Sequence, residues 1–103
     1  MYDDSVIAEA ADRITTAAPG AQVILFGSHA RGEAHENSDL DLLVVEPVVD
    51  DAAGEQVRLR RALVGLRLFV DVVVVSAADA QRLRGVRSSV VGAALAEGRV
   101  LVA

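Results

Sequence analysis

Hydrophobic positions change their period several times along the chain, and each change marks an element. Residues 3–18 carry Val6, Ile7, Ala10, Ala11, Ile14 and Ala17–Ala18 at helical spacing, with Asp4, Glu9, Asp12 and Arg13 on the other side. Asp3 or Asp4 can cap the start of that helix, and Pro19-Gly20 stops it. Gln22–Phe26 is an apolar run of strand length that halts at Gly27. Residues 28–38 are polar and contain Gly32, which predicts a loop with room for one helical turn. Asp39–Glu46 reads as a second strand, stopped by Pro47.

Asp50 and Asp51 open a second long helix, in which Leu59, Ala62, Leu63 and Leu66 form an apolar stripe and Arg58, Arg60, Arg61 and Arg67 lie mostly off it. Leu68–Val75 is the most β-branched run and predicts a third strand ended by Ser76. Ser76 with Asp79 three residues later forms a capping pattern for a short helix ending at Gly85. Val86–Glu97 reads as a final helix with Gly98 as its stop, and Arg99–Val102 as a short edge strand. Strands 1 and 2 are too close in sequence for a crossover helix between them, which predicts an antiparallel pair, while strands 2 and 3 are joined across a helix and suit parallel pairing. The expected fold is α/β (α+β), a small mixed sheet with helices packed mainly on one face, in a single domain over residues 1–103.

Composition narrows the function. Of 103 residues, 52% are hydrophobic, enough for a dense core in one domain, and 3% are aromatic, too few for a platform on which bases stack. Net charge is −5, which argues against a direct nucleic-acid binder. All ten basic residues are arginine, so a phosphate loop that depends on lysine is excluded. There is no cysteine for a disulfide or a thiolate metal site, no apolar run long enough for a bilayer, and an acidic start, Asp3-Asp4, where a secretory signal would be basic. Together these predict a cytoplasmic protein.

The chemistry concentrates in three places. In a strand, Asp39 and Asp41 point to the same side, roughly 6.5–7 Å apart along the chain. They are either surface charges at the mouth of the strand or, since two like charges repel, a pair that a cation joins, and magnesium prefers such hard oxygen ligands. Asp71 interrupts a run of valines in strand 3, where an unpaired acid is costly. It either sits at a sheet edge, or pairs with an arginine such as Arg67, or faces the same site as the first two acids. Three convergent carboxylates can hold two metal ions about 3.5–4 Å apart, as in two-metal phosphoryl and nucleotidyl transfer. Gly27-Ser28-His29-Ala30-Arg31-Gly32 follows strand 1 directly. This is either an ordinary Gly-Ser turn or an anion site, in which Gly27 lets backbone N–H groups approach, Ser28 adds a hydroxyl and Arg31 supplies the charge that lysine does not. His29 and His35 flank the loop and are given no role, and the arginines of the second long helix are either a solvated face or a surface for a partner.

Gly27-Ser28, ten intervening residues from His29 to Ser38, then Asp39-Leu40-Asp41, with Asp71 on a later strand, resembles the signature of the minimal nucleotidyltransferases of the DNA polymerase β-like superfamily. The string GSHARGEAHENSDLDLLVV and the closing Glu97-Gly98-Arg99-Val100-Leu101 are similar to family segments as well. The resemblance implies that Asp39, Asp41 and Asp71 ligate Mg2+, with two ions expected, and that Asp71 accepts the acceptor's proton. It implies that Gly27 and Ser28, with Arg31, hold a nucleoside triphosphate, expected to be ATP. Chains of this size resemble the antitoxin half of a toxin–antitoxin pair, which implies transfer of AMP to a tyrosine of a HEPN-class toxin. Two alternatives stay open at this point: a nucleotidyltransferase for an aminoglycoside-like small molecule, acting as an oligomer or with a separate subunit, and a non-catalytic antitoxin that works by binding.

Overall fold

The computed structural model describes residues 3–34, 39–66 and 69–103. Helix α1 spans Asp4–Ala17, strand β1 Gln22–Phe26, the short helix α2 Ser28–Arg31 and strand β2 Leu40–Glu46. Helix α3 (Ala52–Ala62), strand β3 (Val70–Ser76), helices α4 (Ala77–Leu83) and α5 (Val90–Glu97) and strand β4 (Arg99–Val102) follow. Ser38, His35, Arg67 and Leu68, which entered the sequence reading, lie outside the described residues.

Capping residues set the helix starts. Asp3 accepts a hydrogen bond from the Val6 N–H, Asp51 from the Gly54 N–H and Ser76 from the Asp79 N–H, so each satisfies a donor that the first turn leaves unpaired. The last helix is shorter than its apolar pattern predicts. Ser89 accepts from the Gly92 N–H at 2.8 Å and starts the helix at Val90, while the Ser89 N–H bonds back to the Val86 carbonyl. Residues 86–89 are therefore a turn, because Ser89 offers the backbone a cap that competes with continued helix.

The strands form one sheet in the order β3-β2-β1-β4. As expected, β1 is antiparallel to β2, and β2 is parallel to β3; β4 is antiparallel to β1 at the other edge. The two longest helices share a face, where Ile7, Ala10, Ala11 and Ile14 of α1 and Leu59 of α3 bury against Val23, Leu25, Leu42, Val44, Val72 and Val74. The opposite face is covered too, by α4 and α5, whose Ala80 and Ala94 pack on Ile24, Leu43, Val45 and Val75. The reason lies in β2, where Leu42, Leu43, Val44 and Val45 are all buried. A strand apolar on both sides needs cover on both sides. At the β3 edge, the Val74 N–H donates to Gln56 Oε1 of α3 at 3.2 Å, which satisfies a donor the sheet leaves unpaired.

Candidate active site

The site forms where three chain segments meet at one end of the sheet. Antiparallel pairing of β1 with β2 sets Phe26 opposite Asp41, so the turn after β1 arrives beside the first residues of β2. Parallel pairing of β2 with β3 sets Asp41 opposite Asp71. Neighbouring strands lie about 4.8 Å apart, so these two acids are lateral neighbours. Both follow the parity of Leu43, Val45, Val73 and Val75, which places them on the sheet face that α4 and α5 cover farther along.

Gly27 adopts φ 75° and ψ −155°, a region that side chains disfavour. A Cβ at this position would run into the Asp41 carboxylate, whose Cγ would be 3.1 Å away. Glycine thus serves twice: it makes the turn and leaves the space that Asp41 fills. Helix α2 starts immediately after it, with no side chain capping its leading N–H groups. Those groups and the Ser28 hydroxyl are the donors an anion would meet.

Asp41 is half-buried, and its carboxyl is pushed above the ordinary carboxylate range. Loss of water contact is the main cause, followed by the negative charges of Asp71 and Asp39; the positive charges of His29 and Arg31 oppose the shift. Asp39 lies just ahead of β2 and is exposed, and Arg31 forms an exposed ion pair with Glu33 at 3.2 Å. Arg67, the arginine that the sequence neighbourhood of Asp71 offers, lies outside the described residues, and Asp71 stands at the sheet edge with a described arginine as partner. Its partner is Arg60 of α3, at 3.2 Å.

Among the described residues, no three His, Cys, Asp or Glu side chains converge closely enough to hold a metal ion. Asp41 nevertheless faces the charges of Asp39 and Asp71 with too little positive charge to offset them. The available ligands are carboxylate oxygens. A hard divalent cation such as Mg2+ fits both that deficit and that donor set. The structure therefore brings Gly27, Ser28, Asp39, Asp41 and Asp71 to one end of the sheet, with Arg31 and His29 near enough to bear on Asp41. Two neighbours of the site had no assigned role in the sequence. For Arg60 the only signal was an arginine-rich helix face, and for His29 its place inside the Gly-Ser loop.

The model of the nucleotidyltransferase domain family matches residues 7–97. The chain belongs to this family. No curated protein matches it by sequence. Two solved structures share the fold of this nucleotidyltransferase. A protein of Sulfolobus solfataricus assigned as a nucleotidyltransferase superposes with a TM-score of 0.63 at 19% identity, covering 93% of this chain and 76% of its own. A toxin–antitoxin structure with AMP-PNP superposes with a TM-score of 0.61 at 22% identity, covering 91% of this chain and 71% of its own. The match over residues 7–97 includes Gly27, Asp39, Asp41 and Asp71. Among the described residues, no helix is long and apolar enough to cross a membrane.

Proposed function

We propose that this nucleotidyltransferase is the antitoxin of a toxin–antitoxin pair and transfers AMP from ATP to a tyrosine hydroxyl of a HEPN-class toxin in the cytoplasm. One observation supports the transfer chemistry: Asp41 lies against Gly27 and beside Asp71 on the neighbouring strand, so the Gly-Ser turn and the two acids are neighbours. The structural likeness to a toxin–antitoxin protein with AMP-PNP supports ATP and a toxin partner. The tyrosine acceptor and the HEPN class rest on the family resemblance.

In this reading the Gly27 backbone and the Ser28 hydroxyl hold the triphosphate, with Arg31 adding positive charge nearby. Asp39 and Asp41 hold magnesium, and Asp71 completes the set. Bound magnesium supplies charge neutralisation on the phosphates and on the departing pyrophosphate. The acceptor oxygen forms a bond to the α-phosphorus as the bond to pyrophosphate breaks, and Asp71 takes the proton from the acceptor hydroxyl. The chain contributes mostly position and charge, which is how phosphoryl transfer is generally accelerated.

The test is the intact mass of a candidate toxin after incubation with this protein, ATP and Mg2+. A gain of one or more AMP units, lost when Asp39 and Asp41 are both changed to Asn, is the expected result. A stable complex without mass gain would instead identify a binding antitoxin. Mass gain on an aminoglycoside and none on a protein would make it a small-molecule enzyme.

A further inference from the structure

Asp71 has two competing demands on its carboxylate. Its register places it beside Asp41, where a shared cation would draw it inward. Its Oδ1 instead accepts from Arg60 Nη2 at 3.2 Å. Arg60 comes from the other side of the sheet, since α3 packs its Leu59 on the face opposite the acids. It reaches Asp71 because β3 is the outer strand, so a long side chain can pass round the edge.

We propose that Arg60 is a positioning residue that holds Asp71 at the sheet edge in the metal-free protein and yields it when a divalent cation binds with Asp39 and Asp41. This rests on the metal-dependent reading above and adds to it a cation supplied by the chain itself. The pair suits a displaceable hold. Its side chains are 46% and 59% exposed, so water screens their attraction and a divalent ion can outcompete it.

The experiment is Mn2+ binding to the full chain, by calorimetry or electron paramagnetic resonance, without nucleotide. Arg60→Gln should bind Mn2+ roughly two- to fivefold more tightly than wild type, the range that corresponds to an exposed ion pair. Arg61→Gln removes the same charge one residue along without touching Asp71. It should stay within about 1.5-fold at an ionic strength of about 0.15 M, where distant charges are screened. In the metal-free protein, the Asp71 carboxyl carbon resonance should move in Arg60→Gln and stay in place in Arg61→Gln. Equal effects of the two variants, or weaker Mn2+ binding by Arg60→Gln, would overturn the proposal. Asp41→Asn separates this from failure of the underlying reading: if it binds Mn2+ as wild type does, the metal site itself is wrong.

Discussion

The Asp41 carboxylate occupies the space that a side chain on Gly27 would need. That contact joins the end of β1 to the start of β2 and ties the Gly-Ser turn to a proposed metal ligand. Gly27→Ala should be affected twice, by a backbone at φ 75° and by collision with Asp41. The expected loss is about 1–3 kcal/mol of stability from the backbone alone. Because Asp41 must also move, ATP binding should fall further than the stability loss accounts for. Urea unfolding and nucleotide titration, compared with Gly32→Ala, whose site has open space around it, separate the two effects.

Asp41 should illustrate a conflict between stability and function. Its folded-state pKa is raised, so the folded protein binds this proton more tightly than the unfolded chain does. The ionised carboxylate is thus a liability at neutral pH, and stability is lost as pH rises from its ordinary value through the raised one. Asp41→Asn should therefore raise the melting temperature of the metal-free protein at pH 7. Millimolar Mg2+ should stabilise wild type and leave the variant unchanged, because a ligand stabilises only the state that binds it. Thermal scans with Mg2+ and with EDTA read both effects, and a variant that melts below wild type in EDTA would contradict the first.

A second carboxyl pair lies at the far end of β2. Glu46 is pushed up to about 7 by loss of water contact and by hydrogen bonding and repulsion from Glu55, with Arg58 opposing. Glu55 is held down to about 2, chiefly by its hydrogen bonds with Arg58 and then with Glu46. Glu46 Oε2 is buried with no hydrogen-bond partner among the described residues, and the hydrogen bond between the Glu46 and Glu55 carboxyl groups favours a protonated Glu46. The folded state holds the Glu46 proton more tightly than the unfolded chain, so this stabilisation is full below about pH 4.5 and is lost as pH rises through about 7. Glu55 has the opposite sign, and its share is lost as pH falls from about 4.5 towards 2. Between pH 5 and 8, Glu46→Gln should flatten the decline in melting temperature expected of wild type, since the amide keeps a donor at every pH.

Arg13 binds two elements together. From α1 it donates to the carbonyls of Ala62, at 3.4 Å, and Val64, at 2.9 Å, where α3 ends. A cation at a helix C-terminus satisfies carbonyls that the helix leaves free and complements its dipole. Arg13→Ala should cost about 1 kcal/mol, typical of a charged hydrogen bond at a partly exposed site. Arg13→Lys should recover part of it, as measured by urea midpoint.

Local order was written in the chain. The cap at Ser76, the choice of Asp3 over Asp4, the start at Asp51 and the stop at Pro19-Gly20 follow from chemistry within a few residues. By contrast, α3 ends at Ala62, short of the Leu63 and Leu66 of its stripe, β2 begins one residue after Asp39 and β3 runs one residue past Val75. The spacing of Asp39 and Asp41 and the Gly27-Ser28 turn marked the candidate site for a similar reason, because the period of a strand fixes which side chains travel together. The final helix was overextended because an apolar periodicity cannot reveal that Ser89 will cap at Gly92. What the sequence could not decide was pairing between distant segments. Whether Asp71 stands beside Asp41, and whether Arg60 reaches it, depends on the register of β2 with β3 and on the reach of α3 round an outer strand. Those outcomes are set by burying both faces of β2 at once, a demand of the whole fold that no single stretch of sequence contains.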